Sequence, residues 1–170
     1  HPHLPVNGMM TFPTELTLRT TRNGVRLYSY PVAELAKLQE LKGNWANLKA
    51  EEATAKLKPY DKEGALLIKT TIRLSHATSA GISLDGQNIV DYDMNRNTIN
   101  GTFYSPEEIG SMELKMTLLI DRTSVEVYID DGAYSYVMER RAHNSSGFNF
   151  WGNNIMVKEL EVSTLRSIWE

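Results

Sequence analysis

Four carboxylates crowd one short stretch of the chain: Asp121, Glu126, Asp130 and Asp131, within Leu118-Leu119-Ile120-Asp121-Arg122-Thr123-Ser124-Val125-Glu126-Val127-Tyr128-Ile129-Asp130-Asp131-Gly132. Carboxylates brought together can act as general acid and base. Their spacing argues for structural roles here: Asp121 as a turn residue, Glu126 turned to solvent or an arginine, Asp130 and Asp131 at a hairpin tip. A second cluster, Asp91-Tyr92-Asp93-Met94-Asn95, opens like a calcium loop. An EF-hand then requires glycine at its sixth position and glutamate at its twelfth. Arg96 and Thr102 stand there, so the EF-hand fails and a sandwich-type calcium site is the alternative left. The histidines His1, His3, His76 and His143 show no metal-ligand spacing. No Gly-x-Ser-x-Gly elbow supports a serine nucleophile, and surface histidines are the default reading. There are no cysteines, which excludes disulfides and thiolate metal sites without fixing the compartment. No metal and no cofactor are expected.

The elements that must position these residues read as short strands. Val125, Val127 and Ile129 alternate with Glu126, Tyr128 and Asp130, the period-2 signature of a half-buried strand. Asp131-Gly132 supplies a turn, and Tyr134 to Glu139 returns. At the front, Met9 to Arg19 and Val25 to Tyr30 flank Thr20-Thr21-Arg22-Asn23-Gly24, and Asn-Gly predicts a hairpin. Pro31 opens one helical pattern, with Val32, Leu35, Leu38 and Leu41 at spacings of three and Gly43 as its stop. From Trp45 onward the sequence reads as β-structure, with strands over Leu66–Leu74, Ala80–Leu84, Ile89–Tyr92, Met112–Ile120, Gly147–Trp151 and Ile155–Ser163. Ser105 to Gly110 reads as a loop. Many short strands with regular turns predict an antiparallel sandwich. With 170 residues, one domain is expected. The formal charge of −3 is spread without blocks, which argues against nucleic acid as a partner. No run approaches the roughly 18 apolar residues of a membrane span, so no membrane partner is expected. No signal peptide opens the chain, but His1-Pro2-His3 reads as the middle of a longer protein. Asn100-Gly101-Thr102 and Asn144-Ser145-Ser146 fit the glycosylation sequon, a triplet common by chance.

Three motifs in order carry a family resemblance. Asp121 to Gly132 is similar to a strand of the form DRSSVEVFxNDG, and Thr164-Leu165-Arg166-Ser167-Ile168-Trp169 is similar to a terminal LxSIW. The front of the chain, Met9 to Arg19 followed by Gly24-Val25-Arg26-Leu27 and Pro31-Val32-Ala33-Glu34-Leu35, resembles MxxPRELTL...GxxLxQxPVxEL, with Thr14 in place of the arginine. Together they resemble the C-terminal β-sandwich region of glycoside hydrolase family 32, the invertases, inulinases and levanases. Retaining glycosidases need two carboxyl groups about 5–5.5 Å apart. In that family they lie in motifs resembling WMNDPNG and EC, with a third carboxylate in RDP, and none of the three occurs here.

The resemblance implies an all-β fold, a jelly-roll-like sandwich of two antiparallel sheets preceded by a β-hairpin and one short helix. It divides the chain into a propeller-type hairpin (1–31), a linker helix (32–43) and the sandwich (44–170). It further implies a non-catalytic accessory module of a fructan- or sucrose-hydrolysing enzyme, exported from a bacterium. The partner would be a five-bladed propeller catalytic domain in the same parent chain, with fructan and a second copy (a homodimer) as further candidates. The alternative is a self-sufficient carbohydrate-binding module for fructans. Sugar rings stack on exposed aromatic faces, so Trp45, Tyr104, Tyr134 and Trp151 are the carbohydrate-contact candidates. Met9, Met10, Phe12, Leu16 and Leu18 put apolar residues on both parities of the first strand and are the candidates for an interdomain seam. Trp169 is expected to anchor the last strand.

Overall fold

The computed structural model describes residues 10–22, 24–74, 77–104, 112–140 and 146–166. The four histidines, Met9, Asn144, Trp169 and the loop Ser105–Gly110 lie outside these residues. Strands β1 (Thr14–Thr21) and β2 (Gly24–Pro31) pair as a separate antiparallel hairpin. A six-stranded sheet is made from β3 (Gln39–Lys49), β4 (Leu66–Arg73), β9 (Glu113–Ile120), β10 (Ser124–Ile129), β11 (Tyr134–Glu139) and β13 (Met156–Leu165). Its spatial order is β11-β10-β9-β4-β13-β3. A five-stranded sheet takes β5 (Ser79–Leu84), β6 (Gln87–Asp93), β7 (Thr98–Ile99), β8 (Thr102–Phe103) and β12 (Phe148–Gly152) in the order β12-β5-β6-β7-β8. Every pairing among the described residues is antiparallel, and the two large sheets form the predicted sandwich.

The core between them follows from strand alternation. Ile68, Ile82, Val90, Leu118, Val127 and Leu160 are wholly buried in one cluster. A second cluster lies on the outer face of the six-stranded sheet, where Leu35, Leu67, Leu119 and Tyr128 are buried and Phe12, Tyr30, Leu38 and Leu165 pack against them. That sheet is therefore covered twice, once by its partner sheet and once by the N-terminal segment.

This second cover changes the setting of two carboxylates. Glu126, expected to face solvent or an arginine, is buried, and no cation neutralises it among the described residues. Its carboxylate accepts the Phe12 N–H at 2.9 Å and the Tyr128 hydroxyl at 2.6 Å. Asp130 is not a solvated hairpin tip either, since its carboxylate accepts the Tyr104 hydroxyl. The turn itself is as anticipated, with Asp130, Asp131 and Gly132 all at positive φ. A side chain at Gly132 would stand 2.1 Å from the Ser29 carbonyl oxygen, so the turn fits against β2 only with glycine there.

The one short α-helix is not at Pro31 to Leu41. That region holds a six-residue 3-10 helix, Ala33–Leu38, after which the chain enters β3 and pairs with β13 as far as Gln39↔Leu165. Leu35 is buried, but Leu41 is exposed on the strand. Leucines at spacings of three served a turn and a strand edge, because sheet pairing outweighs a six-residue helical tendency. The α-helix, α1 (Ala50–Leu57), falls where only β-structure was expected. Ala53 and Leu57, one turn apart, are fully buried, and Glu52 accepts the Lys49 N–H at 2.8 Å.

Candidate functional site

The hairpin has two unlike faces. Residues directly opposed in an antiparallel pair lie on one face. Tyr28 and Tyr30 face the sandwich: Tyr28 is buried, and Tyr30 meets Tyr128 edge-on at 5.8 Å and shares a hydrogen bond with the Thr117 hydroxyl at 2.9 Å. On the other face Leu18 opposes Leu27, Leu16 opposes Ser29, and Val25 opposes Thr20. Leu16, Leu18, Val25 and Leu27 are 62, 72, 66 and 56% exposed. Four aliphatic side chains thus stand together with no cover among the described residues, held on a platform pinned from behind. At the foot of the hairpin lies a groove of about 930 Å³, lined in part by Phe12, Pro31, Leu35, Leu38, Arg122 and Arg166.

The seam candidates divide accordingly. Leu16 and Leu18 lie on the uncovered face, and Met10 is exposed just before it. Phe12 does not belong with them, because it packs into this chain's own second cluster. It precedes β1, with Pro13 between, so strand parity never reached it. Val25 and Leu27 were missed; the observed register sets Leu27 opposite Leu18 and puts Val25 on the same face, opposite Thr20.

The carbohydrate-contact candidates also separate. Tyr104 is 4% exposed with its hydroxyl held by Asp130, so its ring offers no open face. Burial, reinforced by the Asp130 charge and hydrogen bond, pushes its pKa far above the usual tyrosine value. Tyr134 lies beside it at 5.6 Å and continues to Tyr136 at 5.4 Å. These rings face inward with Val127 and Ile129, and they cap the core. Trp45, on the edge strand β3, packs against the core with the Lys56 ammonium 5.6 Å from its ring centre. Only Trp151, on edge strand β12, lies on the outer face of a sheet; its β12 neighbours Phe148 and Phe150 point into the core. Asn100 is committed as well: its amide nitrogen donates to the Ile89 carbonyl at 3.0 Å and the Tyr136 hydroxyl at 3.1 Å, leaving none free for a glycan. No cluster of three or more metal-ligating side chains occurs among the described residues.

No protein-family model matches the chain. A levanase of Bacillus subtilis (strain 168) is 24% identical over 196 residues, covering 99% of this chain and 29% of the levanase. A levanase of Bacillus sp. (strain L7) is 23% identical over 188 residues, covering 95% of this chain and 20% of its own. Among solved structures, the exo-inulinase of Aspergillus awamori superposes with a TM-score of 0.67 over 98% of this chain and 38% of that one, at 13% identity. The chain therefore spans less than a third of the curated relatives it matches. Levanase relatives matched over almost its whole length, together with this all-β fold, bear out the resemblance carried by the three motifs: the chain is a β-sandwich like the C-terminal region of glycoside hydrolase family 32.

Proposed function

We propose that this chain is a non-catalytic accessory module of a longer fructan- or sucrose-hydrolysing enzyme, and that its hairpin face docks on the catalytic part of that enzyme. The observation that carries the reading is the uncovered aliphatic face Leu16, Leu18, Val25 and Leu27 on a hairpin whose reverse is fixed to the sandwich. A contiguous exposed apolar patch marks an interaction surface. The relatives' greater length supports a partner within the same polypeptide. The missing carboxylate motifs support a supporting rather than a catalytic role.

Two assays test this. Pure chain incubated with sucrose, inulin and levan should release no reducing sugar; turnover would overturn the non-catalytic reading. In the longer enzyme, the double substitution Leu18→Lys/Leu27→Lys should lower the temperature at which activity is lost. In the isolated chain the same pair should leave the unfolding midpoint nearly unchanged. Equal heat resistance of the longer enzyme with and without the substitutions would remove the docking role.

A further inference from the structure

The outer face of the five-stranded sheet carries a second surface, on the side of the sandwich away from the hairpin. Trp151 opposes Gly81, and Gly81 opposes Asp91, so these three form one row across β12, β5 and β6. One step along β6 on the same face, Asp93 opposes Thr98, which opposes Phe103. The indole of Trp151 lies over Gly81, where a Cβ would come within 2.6 Å of its Cζ2 atom. The bare backbone of Gly81 is what lets the ring rest against the sheet. The indole N–H is buried and makes no hydrogen bond among the described residues. A phenylalanine would avoid that loss while covering less of Gly81, so the indole is kept at the cost of an unpaired donor.

The surroundings of the ring are polar. One oxygen of Asp91 accepts the Asn88 amide at 3.3 Å, and the other has no partner among the described residues. Asn149 is exposed two residues before Trp151 on the same strand. Phe103 is 70% exposed at the far side, four strand spacings or about 19 Å away. No aliphatic side chain lies on this face among the described residues, unlike the hairpin.

We propose that this face binds a neutral polysaccharide laid across the strands, with Trp151 as its stacking platform. The carbon–hydrogen face of a sugar ring packs on an indole, and its hydroxyls donate to Asp91 and exchange hydrogen bonds with Asn88 and Asn149. Charge selects the class of ligand. Two aspartates lie on the face, and Arg96, the nearby cation among the described residues, stands 3.7 Å from Asp93 and is spent on it. An acidic polymer would be repelled, and a protein partner would find no aliphatic anchor. The proposal does not depend on the hairpin's docking role.

Affinity electrophoresis of the chain in gels containing levan, inulin or dextran tests it. The chain should be retarded by at least one polymer, Trp151→Ala should abolish the retardation, and Asp91→Ala should weaken it several-fold. Leu18→Lys/Leu27→Lys should be retarded like the parent sequence, which separates this surface from the hairpin. Thermal melts check that each variant is folded; if Trp151→Ala is not, Asp91→Ala decides. No retardation in any polymer, or retardation unchanged in folded Asp91→Ala, would overturn the proposal.

Discussion

Burial raises the pKa of Asp130 above its ordinary value, against the lowering effect of the Tyr104 hydroxyl and the Lys115 backbone N–H. A carboxyl raised by the fold is held charged at a cost at neutral pH. That cost is relieved as the pH falls through the raised pKa, and it is gone near the ordinary value of 3.8. Glu113 has the opposite sign: hydrogen bonds from Lys158 and Arg73 lower its pKa, so its stabilisation is present above 4.5 and lost as the pH falls through the lowered value. Comparing the chain with Asp130→Asn isolates the first effect. The melting temperature of the unsubstituted chain, relative to the variant, should rise as the pH is lowered from neutral towards 3.8. A difference that does not move with pH would show that Asp130 titrates as it does in the unfolded chain. Neither the half-burial of Asp130 nor the burial of Glu126 was legible. Alternation assigns a residue to a face, but it does not say what lies on that face. For Glu126 the cover comes from a residue more than a hundred positions away, where the Phe12 N–H donates to it.

At the scale of elements, strands with strong alternation were legible almost to their ends. Tyr134–Glu139 was read with its observed bounds, and Met112–Ile120 differs from β9 by one residue. What failed was the choice between helix and strand in the segment from Pro31 to Leu57. The Leu35, Leu38 and Leu41 spacing looked like a single helix, but only Leu35 and Leu38 lie in one, a 3-10 helix, and Leu41 is on a strand, while Ala50, Ala53 and Leu57 form the α-helix and passed unread. Two-residue strands such as β7 and β8 leave no periodic signal at all. The legible strands also make a sharp contrast between two substitutions. Val127 is fully buried, so Val127→Asp strands a carboxylate in the core and should cost several kcal/mol, on the order of the whole stability margin. Leu18 is 72% exposed, so Leu18→Lys in the isolated chain should change stability by no more than about 0.5 kcal/mol. Urea unfolding of both variants checks the pair. A large loss for Leu18→Lys would mean that the outer hairpin face is covered from within this chain.

At the scale of the whole molecule, the two outer surfaces differ in chemistry. Beyond the six-stranded sheet, the hairpin presents aliphatic side chains with no cover among the described residues; the outer face of the five-stranded sheet is polar around Trp151. Half of this division could be read from the sequence, since Leu16 and Leu18 are conspicuous in a first strand that carries polar neighbours. The other half needed the register, which alone brings Val25, Leu27 and Gly81 into their rows. The central claim is that the hairpin face is buried in the longer enzyme and open in the isolated chain. The chain has no cysteine, so Leu18→Cys introduces a single reactive thiol into it. The most direct measurement is the alkylation rate of that thiol in the isolated chain and in the longer enzyme. Fast labelling is expected in the isolated chain and labelling slower by an order of magnitude or more in the longer enzyme; equal rates in the two would contradict burial of the hairpin face.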